Sequence, residues 1–261
     1  MSMLNEYQDR FNCVRLERND GVLVVVLHTE GESLLWGKDP HDELGAIFTA
    51  IAGDPENKIV ILTGTGEEFI RMAPPSSRSA PLPGSLWREV ATSGERLIRS
   101  HLSIPVPIIA AVNGPALIHS ELAVLCDIVL ASETAIFADV AHVPRGLVPG
   151  DGVNVIYSAI MGVNRARYFL LTGQSLNAQQ ALDAGIVAEV LPAAELMNRA
   201  RELAAQLSNL PPATLRYTRA VLTASLGHAV DHYLPPSLAM EGLAAAEYWP
   251  GIEGPFFEAP A

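Results

Sequence analysis

Cysteine and long apolar runs are scarce in this chain of 261 residues. Its two cysteines, Cys13 and Cys126, lie in strand-like apolar segments, and no CxxC or Cys/His metal pattern occurs. No apolar run approaches about eighteen residues, and the amino-terminal MSMLNEYQDRF is polar, without an apolar signal region. We therefore expect reduced core thiols in a cytoplasmic protein that is neither secreted nor inserted in a membrane.

Basic residues are also few. The chain has 17 Lys and Arg against 29 Asp and Glu, a formal net charge of -12. This balance disfavours nucleic acid and anionic membrane surfaces as partners, and it leaves small uncharged or carbonyl substrates open. Hydrophobic residues, in contrast, make up 49% of the sequence, which is enough for a sizeable core.

The first half of the chain alternates strand and helix patterns. Short β-branched runs bounded by Gly, Pro and Asn predict strands, and longer amphipathic stretches predict helices. The Asn19-Asp20-Gly21 turn predicts a hairpin. We expect strands at 13–16, 22–27, 58–62, 106–112 and 127–131, and helices at 42–52, 85–101 and from about 120. This alternation is typical of the α/β class.

The second half is mainly helical. Residues 72–84 hold four prolines and three serines and should form an irregular or pocket-covering loop. Expected helices are 153–161, 165–171, 178–184, 193–207, 212–225 and about 236–246, with one short strand at 187–190. No linker separates domains, so an α/β core (1–192) and a helical carboxyl-terminal region (193–261) should form one structural unit.

The loop AHVPRGLVPGDG (141–152) is the most informative segment. It places His142 and Asp151 on either side of a turn-rich stretch. An imidazole oriented by a carboxylate becomes a general base near neutral pH. A His and an Asp nine residues apart are, by themselves, more often unrelated loop residues, so the residues alone leave both interpretations open.

Several ordered motifs resemble the crotonase, or enoyl-CoA hydratase/isomerase, superfamily, over about residues 14–223. They are IIAAVNGPA (108–116), SELAVLCDIVLAS (120–132), GLVPGDG (146–152) and RARYFLLTGQSLNAQQALDAGIVAEVLP (165–192). The resemblance implies a spiral core of ββα units. It also implies a helical carboxyl-terminal region that trimerises, so we expect a homotrimer or a dimer of trimers.

Two departures from the hydratase pattern bear on the reaction. Typical hydratases carry a GGGxEL-like motif and a second glutamate shortly before GxxPG. Here 117–122 reads LIHSEL, which keeps Glu121, and His142 stands at the second glutamate's position. Glu121 could equally be a helix N-terminal charge favoured by the dipole. Where members that use CoA show FxAGxD, residues 69–74 read FIRMAP, and Pro74 has no N–H for an oxyanion hole.

The residues that depart from the hydratase pattern match a second group of enzymes. SLLWGKDPHDEL (33–44), NGPALIHSEL (113–122), HVPRGLVPGDG (142–152) and LAMEGLAAA (238–246) resemble β-diketone hydrolases of the 6-oxocamphor hydrolase type within this superfamily. The positions that match the site of these enzymes are Trp36, His41, His119, His142, Asp151 and Glu241.

The resemblance implies a role for each position. His142 would be the base that activates water, with Asp151 orienting its ring. His119 and Trp36 would donate hydrogen bonds to two substrate oxygens, although a core-lining His and a packed indole are the structural alternatives. His41 would lie in or near the pocket, pairing with Glu241 or shuttling protons, although without the resemblance it is an exposed histidine at a helix start. Glu241 lies in an otherwise apolar helix and would be either on a solvated face or a buried carboxylate that must be paired.

We therefore expect a hydrolase that cleaves a C–C bond of a cyclic 1,3-diketone by a retro-Claisen reaction. Phe69 is expected to join Trp36 and His119 in substrate binding, and the chemistry needs no metal or redox cofactor. One alternative is an enoyl-CoA hydratase/isomerase acting on thioesters. Another is an inactive crotonase-fold scaffold that serves as a binding partner.

Overall fold

One six-stranded sheet lies at the centre of the molecule, beside two two-stranded sheets, in a computed structural model that describes residues 2–72 and 81–249. The strands are β1 (Val14–Asn19), β2 (Val22–Leu27), β3 (Leu35–Trp36), β4 (Ile59–Thr63), β5 (Arg71–Met72), β6 (Ile108–Val112), β7 (Ile128–Ser132), β8 (Ile136–Phe137), β9 (Leu176–Asn177) and β10 (Glu189–Leu191). The large sheet has the order β1-β2-β4-β6-β7-β10. Its strands pair in parallel apart from β1 with β2, which confirms the predicted α/β class.

Helices cover this sheet and form most of the second half of the chain. They are α1 (Lys38–Gly53), α2 (Gly84–Ser103), α3 (Glu121–Val124), α4 (Val153–Met161), α5 (Val163–Thr172), α6 (Ala178–Asp183), α7 (Ala193–Ser208) and α8 (Pro212–Glu247). α1 packs against α2, and α8 packs against both α2 and α4. Within the ranges described, none of the helices is both long enough and apolar enough to span a bilayer.

The first two strands form the predicted hairpin. Asn19 pairs with Val22, and the residues between them, Asp20 and Gly21, have φ angles of 50° and 87°. Positive φ at both central positions is the type I′ turn, whose twist suits adjacent antiparallel strands. Because Asp and Gly tolerate this conformation better than most residues do, the turn follows directly from the sequence.

Both faces of the large sheet are buried. Alternate residues of the fully buried strand β4 face opposite ways: Val60 and Leu62 join the main core, whereas Ile59 and Ile61 join a second cluster beneath α7. A central strand that is covered on both faces reads as a continuous apolar run, which is why 58–62 could be recognised in the sequence.

Three helix predictions need correction. α1 begins at Lys38 rather than at 42, with Pro40 in its first turn, where a missing N–H costs no helical hydrogen bond. α3 spans only four residues. The two helices expected at 212–225 and 236–246 are a single helix, α8, which continues through Pro235 and Pro236. Leu234 and Leu238 are both buried in the main core, so packing holds the helix on either side of the prolines.

The Pro- and Ser-rich loop predicted at 72–84 lies mostly outside the described residues. β5 ends at Met72, and residues 81–83 lead directly into α2.

Candidate active site

The small sheets bring distant segments of the chain to one place. β3 pairs with β5 in parallel, Ile70 bridges to Ala116, and Ala116 bridges to Phe137 of β8. Trp36 is part of β3, and the chain segments that follow Ala116 and β8 carry His119 and His142. Side chains that are about a hundred residues apart in sequence therefore converge because their strands are neighbours.

Three aromatic rings form one wall of the site. The indole of Trp36 stacks on the imidazole of His119, with ring centroids 3.7 Å apart and an interplanar angle of 29°. His41, which α1 supplies, meets Trp36 edge-on at 5.8 Å and His119 at 6.1 Å. His41 also lies within 2.7 Å of the Ser93 hydroxyl through Nδ1, so α2 helps to fix its ring.

His119 is held in a strained backbone conformation. Its φ is 49°, in the left-handed region that non-glycine residues seldom adopt. Strain of this kind persists where the surroundings determine the conformation, and it clusters at functional sites. The ring is fixed as well, because Nδ1 donates to Oε1 of the buried Glu121 at 2.7 Å. Glu121 therefore positions a histidine.

His142 is fixed by a different carboxylate. Its Nδ1 donates to Oδ1 of Asp139 at 2.7 Å, and both side chains are buried. Asp151, the residue expected to orient this ring, lies instead on the other side, with Oδ2 3.5 Å from Nε2. Sequence reasoning missed Asp139, because a single acid in FADVAH belongs to no motif, and its position three residues before the histidine was the available signal.

Two carboxylates surround Nε2 of His142. Besides Asp151, Oε1 of Glu241 on α8 lies 3.4 Å away. Both separations exceed an ordinary N–H···O hydrogen bond, as is common before a substrate tightens a catalytic site. Asp151 also reaches the first histidine, with Oδ2 3.6 Å from Nδ1 of His119. It thus lies between the two imidazoles.

Glycines allow the 146–152 segment to come this close. A Cβ on Gly150 would lie 2.4 Å from the carbonyl oxygen of Ser237, so the loop packs directly on the backbone of α8. Gly152 precedes α4 with φ 108°, a conformation that favours glycine. These two residues flank Asp151 and set its position relative to Glu241.

The carboxylates change the protonation of both histidines. Burial lowers the pKa of His142, but Asp151 and Asp139 more than offset this and raise it well above its ordinary value. Burial also lowers the pKa of His119, but Glu121 and Asp151 outweigh it, so this pKa is raised as well. Burial raises the pKa of Glu241 to about 7, whereas the two histidines outweigh burial and lower that of Asp151. The carboxylates therefore favour the imidazolium form of His142, and the histidines favour the ionised form of Asp151.

The structure brings all six residues of the matched set into this region. His41 bonds to Ser93, and Glu241 lies against His142. Phe69 is completely buried in the main core, and its amide donates to the carbonyl of Pro115, so its contact with a substrate stays a prediction. Ala73 and Pro74, on which the altered oxyanion loop depends, lie outside the described residues.

One group of these side chains has the spacing of a cation site. Donor atoms of His119, Glu121 and Asp151 all lie within 4.8 Å of one another. The same atoms are engaged with each other, since Nδ1 of His119 donates to Glu121. We interpret the group as a hydrogen-bonded acid and imidazole cluster rather than as a set of metal ligands.

Comparison with known proteins agrees with this fold. Residues 17–242 match the model of the enoyl-CoA hydratase/isomerase family. The chain belongs to this family. It is 30% identical over 237 residues to a short-chain-enoyl-CoA hydratase of Clostridium acetobutylicum, a match that covers 90% of this chain and 89% of that protein.

Solved structures add a second kind of relative. A β-diketone hydrolase from the cyanobacterium Anabaena sp. PCC 7120, bound to (S)-3-oxocyclohexyl acetic acid, is 39% identical with a TM-score of 0.87, and the match covers 93% of this chain and 97% of that one. An enoyl-CoA hydratase from Mycobacterium avium subsp. paratuberculosis is 26% identical with a TM-score of 0.78, covering 90% of each chain. The chain thus has the crotonase fold and resembles two kinds of enzyme.

Proposed function

We propose that this protein hydrolyses a C–C bond of a cyclic 1,3-diketone. The observation that carries the proposal is the replacement of a hydratase glutamate by His142, whose Nε2 lies between Asp151 and Glu241 and whose Nδ1 is bonded to Asp139. A cluster of two imidazoles and four carboxylates suits repeated proton transfer to and from one substrate.

The reaction divides into two proton transfers. His142, in its neutral form, accepts a proton from water as the water oxygen bonds to one carbonyl carbon. Collapse of the tetrahedral intermediate breaks the bond to the carbon between the carbonyls, and that electron pair enters the second carbonyl as an enolate. The imidazolium then returns its proton to this carbon, giving a keto acid. Asp151 and Glu241 stabilise the imidazolium between the steps.

His119 and Trp36 fit the role of oxygen-binding groups. Their rings are stacked on each other, and Oδ2 of Asp151 lies 3.6 Å from Nδ1 of His119. Side-chain N–H donors aimed at developing oxyanions would replace a backbone oxyanion hole. The ligand of the Anabaena relative carries one ketone and one carboxylic acid. Hydrolysis of a cyclic 1,3-diketone gives a product with the same two groups, which supports the proposed substrate class.

Thioester chemistry is the second candidate, because the Clostridium relative is a short-chain-enoyl-CoA hydratase and Glu121 occupies a hydratase position. Against it, the carboxylate of Glu121 is bonded to His119 and buried. This contact gives Glu121 a positioning role toward His119, which is a role that the diketone mechanism can use.

One assay separates the two. The purified protein is incubated with a panel of monocyclic and bicyclic 1,3-diketones and, separately, with crotonyl-CoA, with and without a chelator. We expect loss of the diketone absorbance with formation of an equivalent of acid, independent of the chelator. His142→Ala should abolish it while the circular dichroism stays unchanged. Hydration of crotonyl-CoA without diketone cleavage would refute the proposal, and inactivity on both would favour a scaffold.

We further propose that the protein assembles as a homotrimer or a dimer of trimers. Large apolar side chains are exposed on α8, among them Tyr217 (73%), Val221 (75%) and Leu222 (71%). Tyr217 and Val221 are one helical turn apart, and Leu171 on α5 is 70% exposed. Contiguous exposed apolar patches mark interaction surfaces, and a second copy is the partner that is always present. Analytical ultracentrifugation should show three or six chains, and Val221→Glu should shift the distribution to smaller species.

A further inference from the structure

Asp139 differs from the other carboxylates of the site in the atom that it contacts. Asp151 and Glu241 face Nε2 of His142, at 3.5 and 3.4 Å, whereas Asp139 accepts from Nδ1 at 2.7 Å. It therefore stands behind the ring, away from the nitrogen that faces the other groups. Among the described residues its second oxygen, Oδ2, has no hydrogen-bond partner, so the bond of Oδ1 to His142 is the side-chain hydrogen bond that the structure gives this buried acid.

The backbone fixes both members of the pair. On one side of Asp139 the amide of Ala138 donates to Ala116, and on the other side the amide of Val140 donates to Leu117. The carbonyl of His142 in turn accepts from the amides of Arg145 and Leu147. Because the main chain is tied before and after the two residues, the distance between their side chains depends little on loop movement.

A bond at Nδ1 decides which nitrogen of a neutral imidazole carries the proton. With Nδ1–H donated to a carboxylate, the lone pair is on Nε2, the nitrogen that a base must offer to water. We propose that Asp139 is the positioning residue of His142, and that it fixes the ring orientation and the Nδ1–H tautomer. The consequence for turnover rests on the proposed function, whereas the tautomer does not.

Four titratable groups face His142 from the elements packed around it. They are Asp139 on its own segment, Asp151 from the loop before α4, Glu241 from α8 and His119 from the segment before α3. Asp151, Glu241 and His119 do not contact Nδ1 of His142. Removing Asp139 alone should therefore change the protonation of Nδ1 and leave the contacts of Nε2 in place.

The first test needs no substrate. Nitrogen-15 spectra of histidine-labelled protein, with the His142 signals assigned by their loss in His142→Ala, report protonation at each ring nitrogen. In the wild type we expect Nδ1 of His142 to stay protonated as the neutral form appears with rising pH. In Asp139→Ala the Nε2–H tautomer should gain population. The control is Glu133→Gln, an exposed carboxylate shortly before β8, which should leave the spectrum unchanged.

The second test uses turnover. Asp139→Asn keeps the size of the side chain, and loss of the correct tautomer should lower kcat by about 10²- to 10⁴-fold with KM nearly constant. Two results would overturn the proposal: a neutral His142 in the wild type that carries its proton on Nε2, or an Asp139→Asn variant with the kcat of the wild type. The first result needs no variant of Asp139, so it is informative even if Asp139→Asn fails to fold. A wild type that cleaves no diketone refutes the proposed function, while the spectra still decide the role of Asp139.

Discussion

Glu241 and His142 meet across the site, with Oε1 of the glutamate 3.4 Å from Nε2 of the histidine. One residue belongs to the loop after β8 and the other to α8, so the carboxyl-terminal helix completes the site. Glu241 is buried, and its Oε2 has no hydrogen-bond partner among the described residues. A buried carboxylate of this kind persists where its charge is needed beside a cation.

Glu241→Gln should therefore change the pH dependence more than the fold. Removing this carboxylate takes a stabilising charge from the imidazolium, so the pKa of His142 should fall. The acid limb of kcat/KM should move to lower pH, and its maximum should fall by about 10- to 100-fold, because the transition state loses the same charge. The pH profile of the variant checks this. An unchanged limb would show that Glu241 is electrostatically separate from the base.

The wild-type profile carries its own expectation. The base must be neutral to accept a proton from water, and Asp151 and Asp139 raise the pKa of His142 well above its ordinary value despite burial. Activity should thus rise with pH, with the midpoint of the acid limb above about 6.5, the ordinary value of histidine. Measurement of kcat/KM from pH 5 to 10 tests the sign. A rate that falls over this range would make the imidazolium, acting as an acid, the required form.

Trp36→Phe separates the indole N–H from the packing of the ring. Phenylalanine can still stack on His119, so the wall of the site should remain. If Trp36 donates to a substrate oxygen, kcat/KM should fall by about 10-fold or more, which is the cost of a lost bond to developing charge. A melting temperature within a few degrees of the wild type is the control. An unchanged rate would assign the indole to packing.

The sequence predicted which residues form this site better than it predicted the contacts between them. His142 and Asp151 could be found because Gly and Pro mark their loop, and the family motifs pointed to Trp36, His119 and Glu241. The sequence could not predict which carboxylate contacts which nitrogen of His142, because that depends on the direction that the chain takes after β8. Asp139 and Asp151 are both near His142 in sequence, and only the three-dimensional arrangement shows that they contact opposite nitrogens.

The fold shows the same division. Strands β4 and β6 were predictable from continuous apolar runs, and the hairpin from its turn. The single helix α8 was not, because Pro235 and Pro236 lack the N–H groups that continue a helix. The helix persists because core contacts of Leu234 and Leu238 outweigh this local cost, and no pattern within the segment reveals that balance.

The buried His101 should make the protein sensitive to acid. Burial lowers the pKa of His101 to about 3, and its ring lies edge-on to Phe48. The unfolded chain takes up this proton near pH 6.5 and the folded chain near 3. Stability is therefore lost as pH falls through this window, by up to about 1.4 kcal/mol per pH unit. When the free energy of unfolding is measured by urea titration between pH 7 and 4, it should fall less steeply with decreasing pH for His101→Asn than for the wild type. His228→Asn, which is exposed on α8, is the control, and equal slopes in all three proteins would contradict the assignment.

Gly150→Ala tests whether the packing of the loop on α8 controls the site. The new Cβ would lie 2.4 Å from the carbonyl oxygen of Ser237 and 2.8 Å from Cβ of Glu241, so the loop and the helix must separate. We expect destabilisation by about 1–3 kcal/mol, the usual cost of overpacking, and a fall in kcat larger than the change in KM, since Asp151 and Glu241 move apart. Gly53→Ala is the matched control: the Cβ meets nothing within 4 Å, and alanine in a helix is favoured by about 0.5–1 kcal/mol. Equal stability and kcat in both variants would show that the loop can shift without disturbing the carboxylates around His142.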